Sequence, residues 1–157
     1  MTVPLFKPSI RRSDMQAVLS CLVTDTIGPG QLSKRLATTV SNYLGIAGGV
    51  ALREYNRGIG IALDSLELEA GAKIIISPLS PDIYRRVLVE KGFTILYADV
   101  EEENGCISSA SVESILSHGP KALIVHCPLG FIPDMETLSN FDIPIIEDIS
   151  QSFGGNT

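Results

Sequence analysis

Two periodicities divide this chain. In the first third, apolar residues recur three and four positions apart, as one face of a helix requires. Met15, Val18, Leu19 and Leu22 make such a face on a helix predicted to begin near Ser13. Asp14 then sits in its first turn, where a carboxylate complements the helix dipole. Gly28-Pro29-Gly30 must end that helix, because neither residue type supports a helical ladder. A second amphipathic helix carries Leu32, Leu36, Val40 and Tyr43 on one side and closes near Gly45. From Gly49 onward the pattern changes to short apolar runs alternating with helical stretches. Strands are predicted at 49–52, 73–77, 93–98, 121–126 and 143–146, and helices at 58–68, 82–91, 111–117 and 135–140.

Runs such as Lys73-Ile74-Ile75-Ile76-Ser77 and Lys121-Ala122-Leu123-Ile124-Val125-His126 are apolar on both faces rather than alternating. A strand of that kind belongs in a parallel sheet covered on both sides by helices. The pattern therefore predicts a three-layer α/β/α body with a mainly parallel five-stranded sheet, preceded by N-terminal helices. Residues 1–157 are expected to form a single domain, with an arm and helices over 1–45 and the layered body over 46–157. Direct pairing of the first strand, Val50-Ala51-Leu52, beside the last would close the sheet within the chain, since the linker through Gly45, Gly48 and Gly49 is flexible.

Composition narrows the function classes. Hydrophobic residues make up 45% and charged residues 19%, which excludes disorder along the whole chain. The formal net charge is −6 and the basic residues are scattered, so no nucleic-acid or anionic-membrane surface is expected. The acidic run Asp99-Val100-Glu101-Glu102-Glu103 reads as a solvated loop after a strand. Cys21, Cys106 and Cys127 are an odd number without CxxC spacing, which offers neither a disulfide framework nor a structural zinc site. No apolar run approaches the length of a membrane span, and the N-terminus lacks a signal-peptide core, so a cytoplasmic setting is expected.

In an open parallel sheet, ligands collect beyond the carboxyl ends of the strands. Three predicted strand ends carry suitable residues. Arg53-Glu54-Tyr55-Asn56-Arg57-Gly58 leads into a helix whose free amides suit an anion. Ser77-Pro78-Leu79-Ser80-Pro81-Asp82 follows the second strand, and Glu147-Asp148-Ile149-Ser150-Gln151 follows the last. Asp148 and Gln151 can present two polar groups into one pocket, although a helix N-cap accounts equally well for Asp148. Asn56 and Arg57 read equally as a cap and a solvated charge. His126 ends an apolar strand with no second ligand nearby and reads as a satisfied buried histidine.

The order of these motifs resembles the DegT/DnrJ/EryC1/StrS family of sugar aminotransferases. Val3-Pro4-Leu5 and Thr26-Ile27-Gly28-Pro29-Gly30 are similar to its opening arm and its T-G-P turn. Gly71-Ala72-Lys73-Ile74-Ile75-Ile76-Ser77-Pro78 and the run from Lys91 to Val100 resemble its next two strands. The most specific match is Ile143-Pro144-Ile145-Ile146-Glu147-Asp148-Ile149-Ser150-Gln151-Ser152-Phe153-Gly154, close to the family's I-P-V-I-E-D-A-A-Q-A-x-G. The resemblance implies part of a fold-type-I aminotransferase large domain, with pyridoxal phosphate or pyridoxamine phosphate as cofactor and a sugar nucleotide as ligand. It implies that Asp148 pairs with the cofactor's pyridinium nitrogen, that Gln151 bonds the ring hydroxyl, and that Asn56 and Arg57 hold the phosphate. It also implies a homodimer formed through the N-terminal helices, and a strand order of 3-2-4-5 for the second to fifth strands.

Departures from the family qualify this. The phosphate turn contains Glu54, whose charge opposes an anion. The aromatic that stacks on the ring has no counterpart in position: Asp82 lies nearest, and Tyr84 is expected on a different helical face. None of the lysines Lys7, Lys34, Lys73, Lys91 and Lys121 matches the family's Schiff-base lysine, which belongs to a later segment. The expectation is a degenerate or truncated member, inactive as this chain, with cofactor binding weak or lost. A non-catalytic binding or interaction module, and half of a split enzyme complemented by a C-terminal half, are the alternatives.

Overall fold

The computed structural model describes residues 7–24 and 27–155. Val3-Pro4-Leu5 and Thr26 lie outside the described residues. Contacts cluster into two units, 1–51 and 52–157.

The first unit holds two helices, α1 (Arg12–Val23) and α2 (Gln31–Leu44). Asp14 accepts a 2.7 Å hydrogen bond from the backbone N–H of Arg11, which ties down an otherwise free donor at the start of α1. α2 ends where Gly45 turns into the left-handed region at φ 68°, and Ile46 N–H returns to Ser41 O at 3.0 Å. The predicted apolar faces exist but are not covered. Met15, Val18, Leu19 and Leu22 on α1, and Leu32 and Leu36 on α2, are all exposed.

The second unit is the layered body. It contains α3 (Tyr55–Asp64), β1 (Lys73–Ile76), α4 (Asp82–Glu90), β2 (Thr94–Tyr97), α5 (Ser109–Ile115), β3 (Ala122–His126), α6 (Met135–Ser139) and β4 (Ile145–Asp148). The strands form one parallel sheet in the order β2-β1-β3-β4. This is the order the resemblance implied. Alternate residues of the central strands face opposite layers. Ile74, Ile76, Ala122 and Ile124 pack with Ile59, Leu63, Tyr84 and Leu88 of α3 and α4. Ile75, Leu123 and Val125 pack with Val112 and Leu138 of α5 and α6. Ile74, Ile75, Leu123 and Ile124 are fully buried, each worth roughly 1.5–3 kcal/mol relative to exposure.

Among the described residues the sheet has four strands rather than five. Residues 49–52 form no strand, and Val50 and Leu52 are 74% and 46% exposed. So short a run gains few ladder bonds, and docking it would require ordering the glycines at 45, 48 and 49, whose backbone entropy is the largest to lose. β4 therefore forms an edge of the sheet. Two boundaries also move. α3 begins at Tyr55 instead of Gly58, because Gly58 is tolerated within its first turn. β4 covers 145–148 instead of 143–146, because Pro144 has no N–H for the ladder. That shift makes Asp148 the last residue of the strand.

The chain crosses from β2, on one side of β1, to β3 on the other. The strand order reverses between β1 and β3, so a crevice forms beyond their carboxyl ends. His126 ends β3, and Asp148, its register partner, ends β4 beside it. The acidic run after β2 is an exposed loop, closed by an isolated bridge between Val100 and Ile107.

Candidate functional site

Four side chains meet at this end of the sheet. Asp148 is 7% exposed. Its Oδ1 accepts the Ser150 N–H at 2.9 Å, a local turn that fixes the plane of the carboxylate. Its Oδ2 accepts hydrogen bonds from the hydroxyls of both Tyr55 and Tyr84. The two hydroxyl oxygens are 3.3 Å apart, and the ring centroids are 6.5 Å apart. Each tyrosine sits in the first turn of its helix, Tyr55 on α3 and Tyr84 on α4. Pro81, with φ fixed at −51°, sets the start of α4, and the Tyr84 N–H closes the first turn onto Pro81 O at 3.0 Å. Tyr84 is fully buried, and its ring meets His126 edge-on with centroids 6.3 Å apart.

His126 is buried, as expected, but it is not satisfied. Among the described residues its Nδ1 has no hydrogen-bond partner, and it lies 3.6 Å from Asp148 Oδ2, beyond hydrogen-bond reach. The Oγ of Ser80, in the loop after β1, is likewise buried without a partner among the described residues.

The electrostatics follow from these contacts. Burial alone would raise the Asp148 carboxyl. The nearby His126 ring, the two tyrosine hydroxyls and the Ser150 N–H outweigh it and hold the group well below the usual carboxylate range. The tyrosines move the other way: burial and the bond to the Asp148 carboxylate push Tyr55 up to about 12 and Tyr84 higher still. At neutral pH the site is one carboxylate held by two neutral phenols. Burial also pushes up the Cys127 thiol, which argues against a nucleophilic role.

The other sequence-derived residues lie elsewhere. Gln151 is exposed, and its Oε1 accepts the Leu129 N–H at 2.9 Å, which pins the turn at Pro128–Gly130. Asn56 and Arg57 are exposed, and Asn56 Oδ1 accepts the Arg57 N–H at 3.0 Å. Both line a groove of about 300 Å³ with Gly60, Asp64, Glu90 and Lys91, a wall that includes neither Asp148 nor Gln151. The structure thus brings Asp148 together with Tyr55, Tyr84 and His126. Sequence reasoning placed Tyr84 on the wrong helical face and passed over Tyr55. The spacing Tyr84, Val87, Leu88 was the available signal, since all three are buried on one face of α4.

The fold and the order of the strand-end motifs are now matched by comparison. The sequence profile of the DegT/DnrJ/EryC1/StrS aminotransferase family matches residues 8–157. The chain belongs to this family. It is 23% identical over 156 residues to UDP-4-amino-4-deoxy-L-arabinose–oxoglutarate aminotransferase of Shewanella sediminis, covering 97% of this chain and 40% of that protein. It is 24% identical over 140 residues to L-glutamine:2-deoxy-scyllo-inosose aminotransferase of Streptomyces fradiae, covering 82% of this chain and 31% of that protein. In fold it is similar to GDP-4-keto-6-deoxymannose-3-dehydratase with a trapped PLP-glutamate geminal diamine. The TM-score is 0.90 at 19% identity, covering 98% of this chain and 42% of that one. The chain therefore spans about a third to two fifths of the length of these proteins.

The residues in place do not fit pyridoxal phosphate as they stand. A protonated ring nitrogen would find most of the carboxylate's acceptor positions taken: Oδ2 carries two hydroxyl donors and Oδ1 carries the Ser150 N–H. At the start of α3, where free amides would meet a phosphate, the cap residue is Glu54, and the Arg57 N–H is taken by Asn56. Among the described residues no cluster of His, Cys, Asp or Glu is suited to a metal ion, and no helix is long and apolar enough to cross a membrane.

Proposed function

We propose that this chain is a degenerate or truncated member of the sugar aminotransferase family that does not transfer amino groups by itself. The inherited role is amino transfer to a keto-sugar nucleotide in the cytoplasm. Relatives of similar fold act on or bind such molecules: one is a GDP-4-keto-6-deoxymannose-3-dehydratase, determined with GDP-perosamine bound. The observation that carries the reading is the Asp148 carboxylate, whose Oδ2 is filled by Tyr55 and Tyr84. The lysines of the layered body add to it. Lys73 opens β1 and donates to His118 O at 2.7 Å, Lys91 pairs with Asp64 at 2.5 Å, and Lys121 precedes β3. All three belong to the amino ends of the strands, opposite Asp148, so none offers an amine at the site.

The test is direct. The purified chain is incubated with pyridoxal phosphate, dialysed, reduced with borohydride and weighed by mass spectrometry, in parallel with an amino-transfer assay using glutamate and keto-sugar nucleotides. No covalent cofactor adduct and no turnover are expected. A lysine-linked adduct at the strand-end site, or turnover, overturns the reading.

A second reading, half of a split aminotransferase or an interaction module, is favoured by the edge at β4. Ile145 and Ile146 are only half-buried there, and the outer flank of the strand has no neighbour in the sheet. Such an edge suits a complementing segment. The exposed apolar faces of α1 and α2 support a homodimer formed through these helices.

A further inference from the structure

The proposal deepens the reading above and rests on its assignment of Asp148. We propose that Tyr55 and Tyr84 act as a built-in plug: their hydroxyls take the positions on Asp148 Oδ2 that a protonated nitrogen heterocycle would take, so the site excludes the cofactor until a tyrosine is removed or displaced.

Three observations carry this. First, both hydroxyls converge on one oxygen. A carboxylate oxygen offers two lone pairs, so two donors fill it. Second, the structure shows the consequence of that filling. His126 is 8% exposed, and its Nδ1 lies 3.6 Å from the same oxygen, close enough to favour the carboxylate electrostatically but without a hydrogen-bond partner within reach among the described residues. A buried polar atom left unpaired is costly, and it persists here because the acceptor beside it is already used. A ring nitrogen would have to compete for an oxygen that two hydroxyls already occupy. Third, the plug is held from two sides. Tyr84 is fully buried against the sheet through α4, and Tyr55 reaches in from α3 while remaining 44% exposed. The inner hydroxyl is thus fixed by packing, and the outer one lies at the mouth of the crevice.

The chemistry excluded is specific. Both phenols are neutral donors at physiological pH, so they satisfy the carboxylate without supplying a positive charge. A pyridinium would bring a charge-assisted bond, which is stronger. Removing a phenol donor therefore re-exposes a buried anionic acceptor suited to a protonated heteroaromatic nitrogen. The outer tyrosine is the natural one to remove first, because its ring is not part of the packed interior.

The experiment is calorimetric titration of the full chain with pyridoxamine 5′-phosphate, a probe that needs no lysine. The wild type is compared with Tyr55→Phe, Tyr84→Phe and the double variant, with folding checked by circular dichroism. Tyr55→Phe is expected to bind about tenfold more tightly than wild type, the factor that one hydrogen bond to a charged group carries. Adding Asp148→Asn to Tyr55→Phe is expected to remove the gain. Equal affinity in wild type and Tyr55→Phe, or a gain that survives Asp148→Asn, overturns the plug. Because Tyr55 is partly exposed, its variant keeps the test decisive if Tyr84→Phe fails to fold. The two readings fail differently: turnover by the wild type, which needs bound cofactor, would refute both inactivity and the plug, whereas an inactive wild type with no gain in Tyr55→Phe would refute the plug alone.

Discussion

Tyr84 and Asp148, 64 residues apart in the chain, meet through a hydrogen bond at the carboxyl end of the sheet. One residue comes from the first turn of α4 and the other from the last position of β4. The bond joins the helical layer to the strand edge and makes Asp148 part of the packed interior.

That bond should be a stabilising contact in its own right. Tyr84→Phe removes a buried donor from a charged acceptor, so a loss of about 1.5–3 kcal/mol is expected in urea unfolding. Tyr55→Phe should cost less, about 0.5–1 kcal/mol, because its half-exposed position lets water take its place. The two losses should not add, since both hydroxyls share Oδ2. Equal losses for the two single variants would contradict the asymmetry in burial.

The pH dependence has two limbs with opposite signs. Asp148 is held below the usual carboxylate range, so the folded state binds its proton less readily than the unfolded state does. Its contribution is complete above the unfolded value, about 4, and is lost as pH falls below it. Tyr55 is raised from 10.0 to about 12, so its contribution is complete below pH 10 and is lost as pH rises towards 12. Stability measured against pH should therefore fall at both ends. Asp148→Asn should flatten the acid limb, and an acid limb unchanged in that variant would show that other carboxylates produce it.

Self-association should depend on the helices of the first unit. Leu19 and Leu36 are 56% and 58% exposed, so Leu19→Glu and Leu36→Glu remove little packing within the chain. In sedimentation equilibrium the wild type is expected as a dimer and the double variant as a monomer, with unchanged helical circular dichroism. A monomeric wild type would end the proposal that these faces pair.

The turn that closes α2 offers a purely conformational test. Gly45 has φ 68° and open space where a side chain would stand. Gly45→Ala should cost about 1–2 kcal/mol from backbone strain alone. Gly48→Ala, also in open space and without a positive φ, should change stability by less than about 0.5 kcal/mol. A thermal melt of each variant distinguishes them.

What the sequence determined by itself is local and periodic. The β-branched run at Ile74-Ile75-Ile76 and the continuous apolar run at Ala122–His126 specify buried parallel strands, because such runs need cover on both faces. Gly45 marks the end of α2 because a left-handed residue is needed there. The ordered motifs up to Gln151 specify the family, and with it the strand order. The tertiary structure alone decided two other matters. Residues 50–52 were apolar enough for a strand, but three residues on a glycine linker cannot offset the entropy of docking, so the sheet stops at β4. The partners of Asp148 depend on contacts spanning 64 and 93 residues. Those contacts exist only once the β3–β4 register sets Asp148 beside His126 and both helices have docked their first turns over it. No local pattern encodes that convergence, because each tyrosine reads in its own helix as an ordinary amphipathic position.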